Sequence, residues 1–149
     1  MATRAMRETL FVDKSVRATR IAVLYTRLAL SAAYLSGIAS RFGWWGKNVG
    51  YGNFANFERY TAQVNSFMPA STIPFLAWAA TAAELFLGVA LLIGIWTRWV
   101  AWGSALLLVM FGTAMAISFG MISPLDYSVF SASAASVMLA VFEGRQDKA

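Results

Sequence analysis

The chain of 149 residues contains no cysteine and no histidine, only three prolines, and charged residues at 13% of its length. Without Cys or His there are no disulfides, thiol redox relays, zinc sites of the Cys/His type or axial haem histidines. Chemistry is left to carboxylates, arginines, hydroxyls and aromatics, or to a partner. The sequence also lacks a glycine-rich phosphate loop, a pair of neighbouring carboxylates and a metal-ligand cluster, so it does not read as an enzyme on its own. The Ser-rich stretch SVFSASAAS has no nearby base to activate a nucleophile; close helix packing accounts for it better. Soluble domains carry roughly 25% charged residues. A chain with 13% charged and 59% hydrophobic residues is therefore not an ordinary water-soluble domain.

What is present in abundance is long apolar runs. A helix rises 1.5 Å per residue and crosses a hydrocarbon layer of about 30 Å with about 20 residues. Four runs are predicted to span: 21–40, 74–96, 99–119 and 127–142. In the last and shortest, the small residues Ser128, Ala132, Ser136 and Ala140 recur every four positions. That spacing lines one face for close approach to another helix. The fold class expected is all-α, an integral membrane four-helix bundle. Residues 1–20 form a basic tail, 21–142 the membrane domain and 143–149 a second tail; no internal repeat or second domain is visible.

Basic residues orient such a bundle, because cytoplasmic flanks hold the excess. Arg4, Arg7, Lys14, Arg17, Arg20, Arg98, Arg145 and Lys148 fall on one side, and Arg41, Lys47 and Arg59 on the other. Both termini are thus expected in the cytoplasm, with the chain in a bacterial inner membrane. The net charge of +5 reads as this bias and as attraction to anionic headgroups of the lipid bilayer, with no nucleic-acid partner implied. A cleaved signal peptide is the rival reading of the N-terminus. Its apolar stretch is too long and is interrupted by Arg27, so a retained span is expected.

The connection 42–73 contains Phe42, Trp44, Trp45, Tyr51, Phe54, Phe57, Tyr60 and Phe67. Phe54, Phe57, Tyr60, Val64 and Phe67 follow spacings of three and four, and Asn53 is a plausible N-cap. This predicts an amphipathic helix at the outer interface, acting either as an aromatic anchor or as a lid over a cavity between the helices.

Two charges fall inside spans, Arg27 and Glu84. Intramembrane charges turn inward and find partners. On antiparallel helices, Arg27 is placed about 10 Å and Glu84 about 16 Å from the same membrane edge, so an Arg27–Glu84 pair is predicted. Arg20, Arg27, Tyr34 and Arg41 recur every seven residues with Ser31 beside them, a polar stripe that must face the bundle. Tyr25, Trp78, Thr81, Ser104, Thr113 and Asp126 are candidates to complete its hydrogen bonding. The pair either fixes helix register or polarises a cavity, lined by Ser31, Tyr34, Trp78, Thr81 and Asp126, that takes a headgroup, a quinone or a proton. Arg98 reads as a snorkelling residue at a helix end.

Glu84, Gly88, Gly94, Thr97 and Arg98 in AAELFLGVALLIGIWTRW, with Arg27, Gly37 and Arg41 in RLALSAAYLSGIASRFGWWG, resemble the signatures of the DoxX family of small bacterial four-helix membrane proteins. The similarity runs over about 21–141. It implies a role beside an oxidoreductase, since that family includes relatives of the small membrane subunit of a thiosulfate:quinone oxidoreductase, a protein for methylamine dehydrogenase maturation and members linked with oxidative-stress complexes. Leu35 and Ser36 stand before Gly37 where some members have His, which removes a histidine proton relay. The missing Cys removes any use of thiols.

The reading expected from all this is a non-catalytic membrane subunit or accessory protein of an oxidoreductase system, with a quinone-like molecule held near Arg27 and Glu84. The alternative is a structural or assembly protein whose buried pair only sets register. A permeation path is a third reading that four unbroken spans support poorly, unless a homo-oligomer forms it.

Overall fold

The computed structural model describes residues 2–146, with side chains for 15–144. Among the described residues every regular element is helical. The order is α1 (Ala2–Arg41), α2 (Phe54–Val64), a 3-10 turn (Ala70–Thr72), α3 (Ile73–Ile93), α4 (Thr97–Phe119), α5 (Ile122–Asp126) and α6 (Val129–Gln146).

Three stretches are long and apolar enough to cross a membrane: Ser15–Arg41, Ala70–Ile93 and Thr97–Phe119. The fourth expected span is shorter. Tyr127 caps α5, Ser128 takes a left-handed φ of 55°, and only then does α6 begin. Its 18 residues amount to about 27 Å of helix. The basic segment before Ile21 is not set apart from the first span, because α1 runs unbroken from Ala2 to Arg41.

α1 packs on α3 and α6, and α4 packs on α6 and α3, which closes a ring of four helices. Leu30, Leu87, Leu91 and Leu139 fill its centre, with Tyr34, Ala101 and Ala140 around them. The outside stays apolar: Leu85, Phe86, Leu92, Leu106, Met110 and Ile117 are exposed. A helix that is hydrophobic on every face belongs in lipid.

Small residues set the closest approaches, as helix association in membranes requires. Ser136 and Ala140 on α6 are buried, and the Ser133 hydroxyl donates to Ala105 O of α4 at 3.0 Å. Gly112 lies so near the Phe130 ring that a Cβ there would come within 2.7 Å of it. α3 opens with Pro74 in its first turn and closes on Gly94 at φ 81°, the usual asymmetry of helix ends.

The aromatic connection folds as its periodicity predicts, up to a point. Asn53 accepts the Asn56 N–H at 2.9 Å, and Phe57, Thr61 and Val64 form the buried face of α2. Phe67 lies beyond the helix, which stops when the Asn65 N–H and side chain both donate to Thr61 O. The turn before α2 is drawn tight against α1: the Tyr51 N–H donates to Ser40 Oγ at 2.9 Å, and a Cβ on Gly50, at φ 61°, would clash with the same hydroxyl. α2 rests on α3 and α4, held in part by the Ser118 hydroxyl donating to Val64 O at 2.6 Å.

Candidate functional site

Polar side chains inside a membrane bundle must satisfy one another, since no water is at hand to do so. The polar stripe on α1 does this through three separate arrangements.

At the end of the bundle where α3 finishes, Arg27 Nε donates to Leu91 O at 3.1 Å and Nη2 reaches Leu92 O at 3.5 Å. These are carbonyls of the last turn of α3, which have no partner within the helix. The guanidinium lies so close over Gly94 that a Cβ there would fall 2.1 Å from Nη2.

In the middle, the Ser31 hydroxyl donates to Gly88 O at 2.8 Å. Tyr34 Oη lies 2.7 Å from Ser104 Oγ, which lies 3.0 Å from Ser136 Oγ, whose proton goes to Ala132 O. This chain of hydroxyls ties α1, α4 and α6 together. Gly88 sits against Tyr34 and Leu35, where a Cβ would come within 3.1–3.3 Å.

At the other end Arg41 enters the bundle. Its Nη2 donates to Glu84 Oε1 at 2.6 Å and its Nη1 to Thr81 Oγ1 at 3.0 Å. The Thr81 hydroxyl passes its own proton to Ala77 O. Phe57 of α2 covers the guanidinium, 3.8 Å from its ring centre. Nε is buried without an acceptor. Around this cover Tyr51 meets Phe57 edge-on at 5.1 Å and Tyr60 at 5.5 Å, while Phe54 lies 4.3 Å from the Trp78 ring. Burial pushes the Tyr51 hydroxyl up to about 12, with Tyr60, Glu84 and Tyr127 raising it and Arg41 opposing them. Tyr60 is raised as well, by burial and then by Tyr127.

The predicted Arg27–Glu84 pair is thus not formed; Glu84 pairs with Arg41. Contacts place Glu84 level with Gly37, where a Cβ would lie 3.5 Å from Glu84 Oε2. Arg27 is ten residues away along α1, about 15 Å. Direction adds to distance, because helical side chains lean toward their own N-terminus. Arg41 leans back along α1 toward Glu84, and Glu84 leans along antiparallel α3 toward Arg41. Arg27 leans away from both. That lean is the part of the pairing that the sequence carries; the level at which α1 meets α3, with Gly37 against Glu84, comes from the packing.

The other expected site residues divide cleanly. Ser31, Tyr34 and Thr81 are buried in the contacts above. Trp78 is 55% exposed and meets the bundle through Phe54. Tyr25, Thr113 and Asp126 are exposed, and Arg20 is exposed too. Arg98 lies at a helix end, against Gly144 and 5.5 Å from the Trp99 ring centre. Among the described residues no three carboxylates lie together as a metal cluster would require.

The arrangement is an ion pair closed on itself, with a threonine beneath and an aromatic helix above. Its chemistry is that of a fixed internal dipole that locks α1, α2 and α3 in one register. Neither curated proteins nor solved structures yield a match to the chain. Residues 47–127, more than half of the chain, match the family described as methylamine utilisation protein MauE. This replaces the resemblance to DoxX: the glycines and arginines that carried it are features any tightly packed membrane bundle uses for close approach and for helix ends. The matched stretch takes in the aromatic connection from Lys47 onward, Glu84 and the turn between α3 and α4. The chain is a multi-pass membrane protein and belongs to the MauE family.

Proposed function

We propose that this chain is a non-catalytic accessory protein of an amine-oxidising system in a bacterial inner membrane, serving the assembly of the oxidoreductase and not its turnover. The family match over residues 47–127 carries the reading, since that family is described by methylamine utilisation. The geometry supports assembly over ligand turnover. Arg27 is taken up by carbonyls of α3, and Glu84 by Arg41. A quinone-like molecule between α1 and α3 would have to displace these contacts and part Gly88 from Tyr34 and Leu35. The excess of basic residues at the end bearing both termini favours a cytoplasmic location for that end, and it turns the aromatic cover of α2 toward the opposite compartment. There α2 and its flanking loop, with Trp44, Trp45 and Phe67 exposed, offer the surface for an oxidoreductase or assembly partner.

Deleting the gene in its host and measuring growth and amine oxidation with methylamine as substrate tests this. Amine oxidation is expected to fall and to be restored by the wild-type chain and by an Arg41→Met/Glu84→Leu double variant, which keeps the packing without the charges. Unchanged amine oxidation in the deletion strain refutes the role. Failure of the double variant, although inserted in the membrane at wild-type level, assigns the charges a direct part.

A further inference from the structure

The first turns of α1 stand apart from the bundle. Arg27 is level with the end of α3, whose last carbonyls it holds. Further back along α1, Ser15, Val16, Arg17 and Ala18 are all exposed, a full turn bare on every side. The crossing stretch begins at Ser15, while the helix begins at Ala2. That stretch, about 40 Å long, already matches a bilayer with its headgroups, so residues 2–14 continue as helix in water.

Charge is not spread evenly round this segment. At about 100° per residue, Arg4, Arg7, Lys14 and Arg17 fall on one half of the helix, with Leu10 and Phe11 between them. The same half continues the line of Ile21, Leu24, Tyr25 and Leu28, which are exposed on the outside of the bundle. Ala5, Thr9, Val12 and Val16 make up the other half, and Glu8 and Asp13 stand at the borders. The bias toward basic cytoplasmic flanks counts charges and is blind to the face they take. It leaves the one-sidedness unexplained. A helix of this length also gains little stability from itself in water.

A basic face interrupted by two apolar residues is complementary to an acidic surface with an apolar notch. Lipid headgroups are one source of negative charge, but they collar only the foot of the segment, near Lys14 and Arg17. Arg7 and Arg4 lie about 10 and 15 Å further out, beyond the screening length of about 8 Å in physiological salt. A lipid surface also runs across the helix axis, whereas this face runs along it. A second copy of the chain presents the same sign of charge. A protein wall standing alongside the helix meets both the sign and the direction.

We propose that the stretch 4–17 of α1 docks an acidic face of a soluble protein, with Arg4, Arg7 and Lys14 paired to its carboxylates around an apolar contact at Leu10 and Phe11. This face is at the opposite end of the bundle from α2, so the docking and the role in amine oxidation stand or fall separately.

The full-length chain in phosphatidylcholine nanodiscs is titrated with a fluorescent helical peptide bearing glutamates along one face around a leucine, and with its glutamine counterpart. Anisotropy is expected to show the glutamate peptide bound about tenfold more tightly, the gain that a few exposed ion pairs supply together. The difference vanishes in 1 M salt, where screening acts within about 3 Å. Arg4→Gln/Arg7→Gln/Lys14→Gln, which keeps good helix formers, abolishes it, and Glu8→Gln/Asp13→Gln preserves it. Because the chain has no cysteine, Leu10→Cys and Val12→Cys each take a single spin label, one on either half. Collisions of the label with a water-soluble relaxant are expected to fall at position 10 and not at position 12 when the glutamate peptide is added. Equal binding of the two peptides overturns the docking, as does a difference that survives the triple variant or equal protection of both positions. Protection of position 10 by phosphatidylglycerol nanodiscs without any peptide assigns the face to headgroups and overturns it as well.

Discussion

Arg41 of α1 and Glu84 of α3 meet at 2.6 Å with side chains only 5% and 7% exposed, and Phe57 of a third helix seals the contact. Removing one member leaves the other charged and buried. Arg41→Met or Glu84→Leu alone is expected to cost about 3–5 kcal/mol, and the double variant to recover most of it. Thermal unfolding in detergent, read as a double-mutant cycle, checks this; additive losses would show that the pair is not coupled.

Arg27 makes a different prediction. Its hydrogen bonds go to the last turn of α3, so Arg27→Met is expected to cost about 1.5–3 kcal/mol, in the range for hydrogen bonds from a charged group. The loss should add to that of Glu84→Gln within about 0.5 kcal/mol, as independent sites do. Gly94→Ala should reproduce the Arg27 defect, because it both displaces the guanidinium and strains a backbone at φ 81°.

The tyrosines over the pair bring a pH dependence. Burial raises the Tyr51 hydroxyl from 10.0 to about 12, so the folded state favours the neutral phenol. The stability this contributes is fully present below pH 10, the unfolded value, and is lost as pH rises toward about 12. Tyr51→Phe should flatten the unfolding profile across that interval. Tyrosinate difference absorbance should show the corresponding late titration in the wild type and its absence in the variant.

Phe57 is the cover itself, 5% exposed and set on the guanidinium. Phe57→Ala is expected to cost about 3–5 kcal/mol and to speed amide exchange in α2 before that in α3. Phe57→Leu keeps part of the volume and should lie between. Equal exchange in α2 with and without the ring would show that α2 is held by its other contacts, such as Ser118 to Val64 O.

Much of the fold was legible in the sequence because membrane burial writes itself in length and hydropathy. Runs of about twenty apolar residues give α3 and α4 to within three residues at each end, and Asn53 with the Phe54, Phe57 and Tyr60 spacing gives the start and face of α2. The end of α2 was not legible: Phe67 keeps the period, but Asn65 turns back on Thr61 first. The fourth helix starts late because Ser128 adopts a turn conformation that apolar periodicity does not register. The polar stripe was readable as a stripe, and Ser31, Tyr34 and Arg41 do face inward. Its pairing was not, because a repeat of seven tells which face a residue shares and leaves its depth against another helix open. Depth here depends on where α1 and α3 touch, at Gly37 and Gly88, and on the lean of each side chain. Family membership was misread for a related reason: glycines and terminal arginines report helix packing, which unrelated bundles have in common.

α1 is continuous over 40 residues, about 60 Å, against a hydrocarbon layer of about 30 Å. With its last 27 residues forming the crossing stretch, the preceding turns extend the same rod about 20 Å past that stretch. The helix therefore works as a mast. A tag fused before Ala2 would be carried clear of the headgroups at a set height and angular phase, and a force on it would tilt the rod at its far end, where Arg41 is fastened.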